Sequence, residues 1–370
     1  MDALYESRRE KDTIALIRGW IENFRNSKHR KVKIYDGISR KVRTIICPTT
    51  REQIIHHAIV QVMEPLFKKG MYEHSYAAVP GRGSLLGMKH IKKWIEHDAK
   101  NVKYCGKTDF RHYFESVEHD ILKRKLRERI KDERFLKILF TVIDVQEKGL
   151  PLGFYTSQWL SNWFLQDLDH FIKENLQIPH YMRYMDDIVM FCSNKKVMHR
   201  AIEAIGKYGA EQLGVTLKGN YQTFRFDYIR KGEHKGRYLD FMGFEFYRDR
   251  VILRKTIMLH ATRTAARTGK KEKMTLYDCR RNLSYLGWID HTDTYGMFKD
   301  RITPYVNIQK CKRRVSAFDK KEAKRKEAER NEIHRSDRNS GSSSKGSRFH
   351  RIPRESLHQE EHPEDHRDCG

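Results

Sequence analysis

Arg183-Tyr184-Met185-Asp186-Asp187-Ile188-Val189-Met190-Phe191 places two adjacent acids between runs suited to buried β-strands. Apolar residues on both sides of a polar break predict a strand pair over 181–192, with the acids at the hairpin tip. Aspartate is common in tight turns, so the pair alone is also ordinary turn chemistry. The flanks are too apolar for a surface turn, which favours a functional reading.

Upstream, Lys107-Thr108-Asp109-Phe110-Arg111-His112-Tyr113-Phe114 puts Asp109 near the end of a strand expected over 104–110. A sheet that sets Asp109 beside Asp186 gathers two or three carboxylates within metal-bridging distance. Hard divalent cations take oxygen ligands, and Mg²⁺ is commonly held by one or two carboxylates plus substrate phosphates. Two such ions about 3.5–4 Å apart stabilise the attacking and leaving oxygens of an in-line phosphoryl displacement.

The 370 residues include 74 Lys+Arg and 49 Asp+Glu, a net charge of +25. The last 60 residues, from Cys311, hold 16 Lys+Arg and 12 Asp+Glu, so +21 falls on the first 310. Basic charge on that scale says nothing about fold but predicts a polyanionic partner. Around clustered carboxylates it describes a nucleotidyltransferase gripping a phosphate backbone.

The start of the chain has no apolar signal core and no stretch approaches 18 apolar residues, so no membrane partner is expected. Cysteines 47, 105, 192, 279, 311 and 369 are scattered, with no Cys-x-x-Cys pair. That usage fits reduced thiols in a cytoplasmic protein, with neither a disulfide framework nor a zinc site.

Strands and helices alternate in an order that predicts an α+β domain with helices on one sheet face. A helical pattern (Ile14, Leu16, Ile17, Trp20, Ile21, Phe24) precedes a hairpin of 32–35 and 42–46 turning at Asp36-Gly37. Thr49 or Thr50 caps the next helix, and Pro80-Gly81-Arg82-Gly83 separates it from a helix over 85–97. Further helices are expected over 121–145, 156–176 and 197–213, and a strand over 238–246. A basic helical stretch follows from 250 to 314. The tail reads as a charged helix followed by disorder.

Tyr184-Met185-Asp186-Asp187 on a hairpin, with Asp109 upstream and an aromatic five residues after it, resembles the reverse transcriptases. The resemblance runs from about 40 to 310. It implies a right-hand polymerase, with fingers over 1–105, a palm with an antiparallel sheet over 106–248, a helical thumb over 249–315 and a charged tail over 316–370. It implies that Asp109, Asp186, Asp187 and the carbonyl of Phe110 hold two Mg²⁺ ions, for which Mn²⁺ can substitute.

Phe114 matches the aromatic gate that leaves no room for a 2′-hydroxyl, although a core phenylalanine is the other reading. Lys41 and Arg43 resemble the pair that grips the incoming triphosphate. Leu152, Gly153 and Gln158 fall in the nucleotide-binding segment. Arg82, Tyr184, Met185, Gly243, Arg254, Lys255 and Trp288 fall where the family meets template and primer. Lys218 is assigned as the general acid for pyrophosphate, the alternative being a solvent-facing turn lysine.

Three departures stand out. Glu52-Gln53 replaces the family's Asp-Arg pattern, with Arg51 shifted to the other side, and Gln222 stands where the general-acid lysine is expected. Leu152 replaces a frequent glutamine and is followed by Ser157-Gln158, a form similar to diversity-generating retroelement and phage-defence enzymes. Loss of an amide donor at 152 predicts looser base selection.

The implied partners are a structured noncoding RNA template, an RNA/DNA hybrid and deoxynucleoside triphosphates, with an accessory protein in the mutagenic setting. The 55 residues after the thumb are too few for an RNase H domain. The rival readings are an RNA-templated RNA polymerase and a catalytically idle RNA-binding scaffold.

Overall fold

The run Ile188-Val189-Met190-Phe191-Cys192 is apolar without alternation, and such a strand needs cover on both faces. The computed structural model describes residues 10–35 and 42–340. Lys41, the Asp36-Gly37 turn and the end of the tail beyond 340 lie outside the described residues.

In chain order the elements are α1 (Glu10–Glu22), β1 (Arg30–Tyr35), β2 (Val42–Cys47), α2 (Thr50–Lys68), α3 (Ser84–His97) and β3 (Tyr104–Thr108). Next come α4 (Tyr113–Ser116), α5 (His119–Arg129), α6 (Glu133–Ile143), α7 (Tyr155–Phe164), α8 (Gln166–His170) and a π turn at Phe171–Asn175. Then follow β4 (His180–Tyr184), β5 (Asp187–Cys192), α9 (Lys195–Leu213), β6 (Gln222–Arg225), β7 (Tyr228–Arg230) and β8 (Glu233–Lys235). The last are β9 (Leu239–Phe241), β10 (Phe244–Phe246), β11 (Val251–Leu253), α10 (Lys255–Gly269), α11 (Leu276–Ile289), α12 (Tyr295–Arg301) and α13 (Ile308–Ser340).

The main sheet is antiparallel in the order β4-β5-β3-β6. One hydrophobic core takes Ile188, Met190 and Cys192 from β5 together with α2 and α5 to α9. A second takes Val189 and Phe191 with α3, β9 to β11 and the helices after them. Both faces are therefore covered, not one as the order of elements suggests. Each fully buried Ile, Met or Phe in that strand contributes about 1.5–3 kcal/mol. Gly106 lets α9 lie flat on β3, since a Cβ there would meet Met198 Sδ at 2.3 Å.

Other expectations change in detail. The helix expected over 156–176 breaks at Leu165 and ends in a π turn, widened by one residue per turn. The strand expected over 238–246 is a hairpin, because Met242 (φ 52°) and Gly243 (φ 88°) both turn left-handed. Val251–Leu253 pairs with β10 before the helices begin. A hairpin of β7 and β8 had no sequence expectation at all.

The chain divides into two units, Met1–Asp319 and Lys320–Gly370. In the second, the described stretch is helix, with an Arg325–Glu329 ion pair of 3.2 Å. The helix Ile308–Ser340 runs through the expected boundary at 315/316 without interruption. Among the described residues no helix is long and apolar enough to cross a membrane.

Candidate active site

The antiparallel register fixes where the acids meet. Thr108 pairs with Ile188, so Asp109, the next residue, stands opposite Asp187. Tyr184 pairs with Asp187, which leaves Met185 and Asp186 as a two-residue turn. Met185 has φ 59°, a left-handed conformation that costs a non-glycine residue about 1–2 kcal/mol.

Arg183 holds that turn from beneath. Its Nη1 donates to the Met185 carbonyl at 2.9 Å and to Asn162 Oδ1 at 3.0 Å. Its Nε and Nη2 donate to Asp169 at 2.7 and 2.6 Å, and Tyr181 Oη donates to the same carboxylate at 2.6 Å. Ser161 Oγ completes the support with a 3.1 Å contact to Met185 Sδ. None of these partners was anticipated. The available signal was an arginine in an apolar strand, which demands a buried counter-charge.

Burial first, and then the charge of Asp187, push the Asp186 carboxyl up to about 6. Asp187 is also raised by burial, against the pull of Lys107, with Asp109 adding to the rise. Lys218 Nζ pairs with Asp109 Oδ2, and the Lys218 amide donates to the Asp109 carbonyl at 3.0 Å. Lys218 therefore reaches the acids while its side chain stays 36% exposed.

The three aspartates do not bring their carboxylate oxygens into one group within 4.8 Å. Among the described residues, Asp227, His234 and Asp249 meet that spacing. Their donor atoms are already engaged: Asp227 Oδ2 accepts from His234 Nδ1 and from the Arg248 amide, each at 2.8 Å, while Arg250 Nη1 meets His234 Nε2 at 3.0 Å. The aspartates at the sheet end offer the oxygen donors that a hard cation takes, with Asp109 Oδ2 engaged by Lys218. Burial first, and then neighbouring carboxylates (Asp187 and Asp109 for Asp186, Asp109 for Asp187), raise two of them.

The segment 149–154 joins the surrounding residues. Leu150 N donates to the Phe114 carbonyl at 2.6 Å, and Ile46 N donates to the Leu152 carbonyl at 2.8 Å. At Gly153 (φ 109°) a Cβ would meet the Ile46 carbonyl at 2.3 Å, so only glycine seats this loop on β2. Phe114 is half-buried on α4, and Phe110 is fully buried in the core. Arg43 on β2 and Gln158 on α7 are exposed.

Other expected contacts are placed as follows. Arg82 Nη1 donates to the carbonyls of Tyr72 and Ser75 at 2.8 and 2.9 Å, so its guanidinium is committed to its own loop. Tyr184 is half-buried beside the turn. Gly243 accepts from the Arg254 amide at 2.9 Å, and Arg254 Nε donates to Asp240 at 2.7 Å. Lys107 Nζ donates to the Asp240 carbonyl at 2.7 Å, which links β9 to β3. Lys255 opens α10, and Trp288 stacks on Phe244 with centroids 5.2 Å apart.

A family profile described as reverse transcriptase (RNA-dependent DNA polymerase) matches residues 28–245. Protein YkfC of Escherichia coli (strain K12) is 29% identical over 156 residues, covering 36% of this chain and 38% of that protein. The retron Ec73 reverse transcriptase of Escherichia coli is 26% identical over 200 residues, covering 50% of this chain and 60% of that protein. The chain thus spans less than two thirds of the length of either relative. The structure of apo telomerase from Candida tropicalis is 10% identical, with a TM-score of 0.48 over 75% of this chain and 61% of that one. The profile match takes in more than half of the chain, including Asp109, Asp186 and Asp187, and on that extent the chain belongs to the reverse transcriptase family.

Proposed function

We propose that the protein is an RNA-directed DNA polymerase that copies a dedicated structured noncoding RNA into DNA. The observation that carries this reading is the register placing Asp109 opposite Asp187, with Asp186 on a turn braced from below. The carboxylates of Asp109, Asp186 and Asp187, with the Phe110 carbonyl, would hold two Mg²⁺ ions or Mn²⁺ in their place. Bound there, such ions supply charge neutralisation to the attacking and leaving oxygens.

The chain's own residues do the rest. Lys41 and Arg43 bind the triphosphate of a deoxynucleotide. Phe114 lies under its sugar, and Leu152, Gly153 and Gln158 border the new base pair. The hydrogen bonds joining Phe114 to Leu150 and Leu152 to Ile46 support one continuous nucleotide pocket. Lys218 delivers a proton to the pyrophosphate leaving group. Tyr184, Met185, Gly243, Arg254, Lys255 and Trp288 hold the RNA/DNA hybrid, and Arg82 shapes the template-facing loop. Fingers over 1–105, palm over 106–248, thumb over 249–315 and tail over 316–370 complete the assignment.

The setting is a retroelement or an antiviral defence system, supported by Leu152 with Ser157-Gln158 and by likeness to a retron enzyme. An accessory protein belongs to the mutagenic form of that setting. The free thiols among the described cysteines support a cytoplasmic location.

Primer extension on an RNA template is the test. Deoxynucleotide incorporation that disappears in Asp186→Ala supports the reading. Equal use of ribonucleotides points to an RNA polymerase, and no incorporation at all points to a scaffold. Sequencing the RNA and DNA that copurify with the chain separates hypermutation from defence.

A further inference from the structure

The end of the sheet away from the aspartates carries a second basic surface. β6 is an edge strand, and Tyr104 pairs with Arg225. That register sets Arg225 five residues from the Asp109 position, about 16 Å along β3. The Arg225 guanidinium lies between two rings, 5.2 Å from the Tyr104 centroid and 5.0 Å from that of Tyr228. Arg237 covers Phe224 at 4.8 Å, on the other face of the same strand. Neither guanidinium has a hydrogen bond or ion pair among the described residues. The Arg237 amide donates to the Arg225 carbonyl at 3.0 Å, so the two arginines flank one strand edge; next in the chain, Tyr238, 39% exposed, stacks on Tyr247 at 5.1 Å.

The chemistry of this surface selects its ligand. Residues 224–238 hold five Lys and Arg against two acids, and one of those, Asp227, is buried under His234 and Arg248. Rings lie against both guanidinium groups, Arg225 half-buried and Arg237 exposed, and leave N–H donors with no protein acceptor among the described residues, as phosphate binding needs. An exposed tyrosine among such charges offers a face for a base. An acidic protein would satisfy the charge but has no use for that ring.

We propose that this surface is a second RNA-binding platform, which takes single-stranded template RNA lying outside the polymerising centre. Arg225 and Arg237 grip its phosphates and Tyr238 stacks a base. The identity of the polyanion rests on the polymerase reading above.

Binding of a labelled, unstructured single-stranded RNA to the full chain across a salt series tests the proposal, alongside deoxynucleotide addition to a short preannealed RNA/DNA duplex. Arg225→Ala/Arg237→Ala is expected to bind the single strand about tenfold more weakly, a change of about 1.4 kcal/mol. Its slope of log K on log salt should fall by about 1.4, from roughly 0.7 for each single-strand phosphate released. Addition to the short duplex should stay unchanged. Tyr238→Ala should weaken binding and leave the salt slope as it was.

Unaltered single-strand affinity in these variants, with normal primer extension, overturns the platform and leaves the surface to an acidic protein. An equal loss on both nucleic acids also overturns it, since the damage would then reach the polymerising centre. A wild-type chain that binds the single strand but extends no primer would sink the polymerase reading alone.

Discussion

Arg183 grips both carboxylate oxygens of Asp169 through Nε and Nη2, at 2.7 and 2.6 Å, with neither side chain reaching solvent. The same guanidinium reaches the Met185 carbonyl, so one buried ion pair sets the backbone of the turn that carries Asp186. Removing one partner of a buried pair leaves an uncompensated charge and costs about 3–5 kcal/mol. Asp169→Ala should therefore melt at a lower temperature and lose most deoxynucleotide incorporation. Arg183→Lys keeps the charge but not the fork. It should recover more stability than activity, as melting and primer extension run together would reveal. Full activity in Arg183→Lys would count against a role in shaping the turn.

Asp186 connects stability to pH and to cations. Its folded value of about 6 lies above its ordinary 3.8, so ionising it costs the fold. The penalty is absent below 3.8, grows between 3.8 and about 6, and is complete above that. Asp186→Asn should accordingly be more stable than the parent at pH 8 without divalent cations, by about 3 kcal/mol, while losing polymerisation. Divalent cation should raise the parent's melting temperature at pH 8, and that increment should shrink below pH 6 as the carboxyl is protonated. Calorimetry over that pH range checks both statements.

Glu52 works in the opposite sense. It forms a capping box with Thr49 and also accepts from Ser27 N at 2.8 Å and His29 Nε2 at 3.0 Å. Burial raises its carboxyl, but hydrogen bonds from Ser27 and Thr49 prevail and hold it down to about 2. The stabilisation is complete above 4.5 and is lost as pH falls toward 2. Glu52→Gln should cost about 1–3 kcal/mol at pH 7 and nothing near pH 2, measured as the difference between denaturation curves.

What was legible in the sequence was local. The strand-turn-strand pattern around Asp186 and the position of Asp109 after a strand need only nearest neighbours, and both acids reach the same sheet end. Thr49, one of two suggested caps, is the one used. The partner of Arg183 was not legible, because a π turn that the sequence pattern does not mark separates Asp169 from the strand that carries Arg183. The turn at Met242-Gly243 was hidden by an aromatic run that reads as one strand. Double-sided cover of β5 was written in its unbroken apolar run, whereas the order of elements points to one covered face. Glu52 broke the family pattern at a position whose use is structural.

Phe114 offers a sharp test of substrate choice. Half-buried on α4, with its carbonyl held by Leu150 N, it cannot shift without moving the loop that also seats Leu152 on β2. Phe114→Ala opens space without touching those backbone bonds. Ribonucleotide incorporation should rise roughly 10–100-fold relative to deoxynucleotide incorporation, the range a hydrophobic pocket can discriminate. Competition between the two nucleotides in a single-turnover assay reads that ratio. No change in it would return Phe114 to the core.

Lys218 pairs with Asp109 and lies four residues before the position where a general acid was expected. Two roles are separable. A lysine that only balances the carboxylates should be replaceable by arginine, which keeps the charge but cannot give up its proton at ordinary pH. A lysine that protonates the leaving group should not be. Lys218→Arg is expected to slow the chemical step by about 10²-fold, the lower end of what a general acid contributes. Pre-steady-state incorporation measured from pH 6 to 10 decides the matter. An arginine variant with the parent's rate and the parent's profile would leave Lys218 as a counter-charge for Asp109 and nothing more.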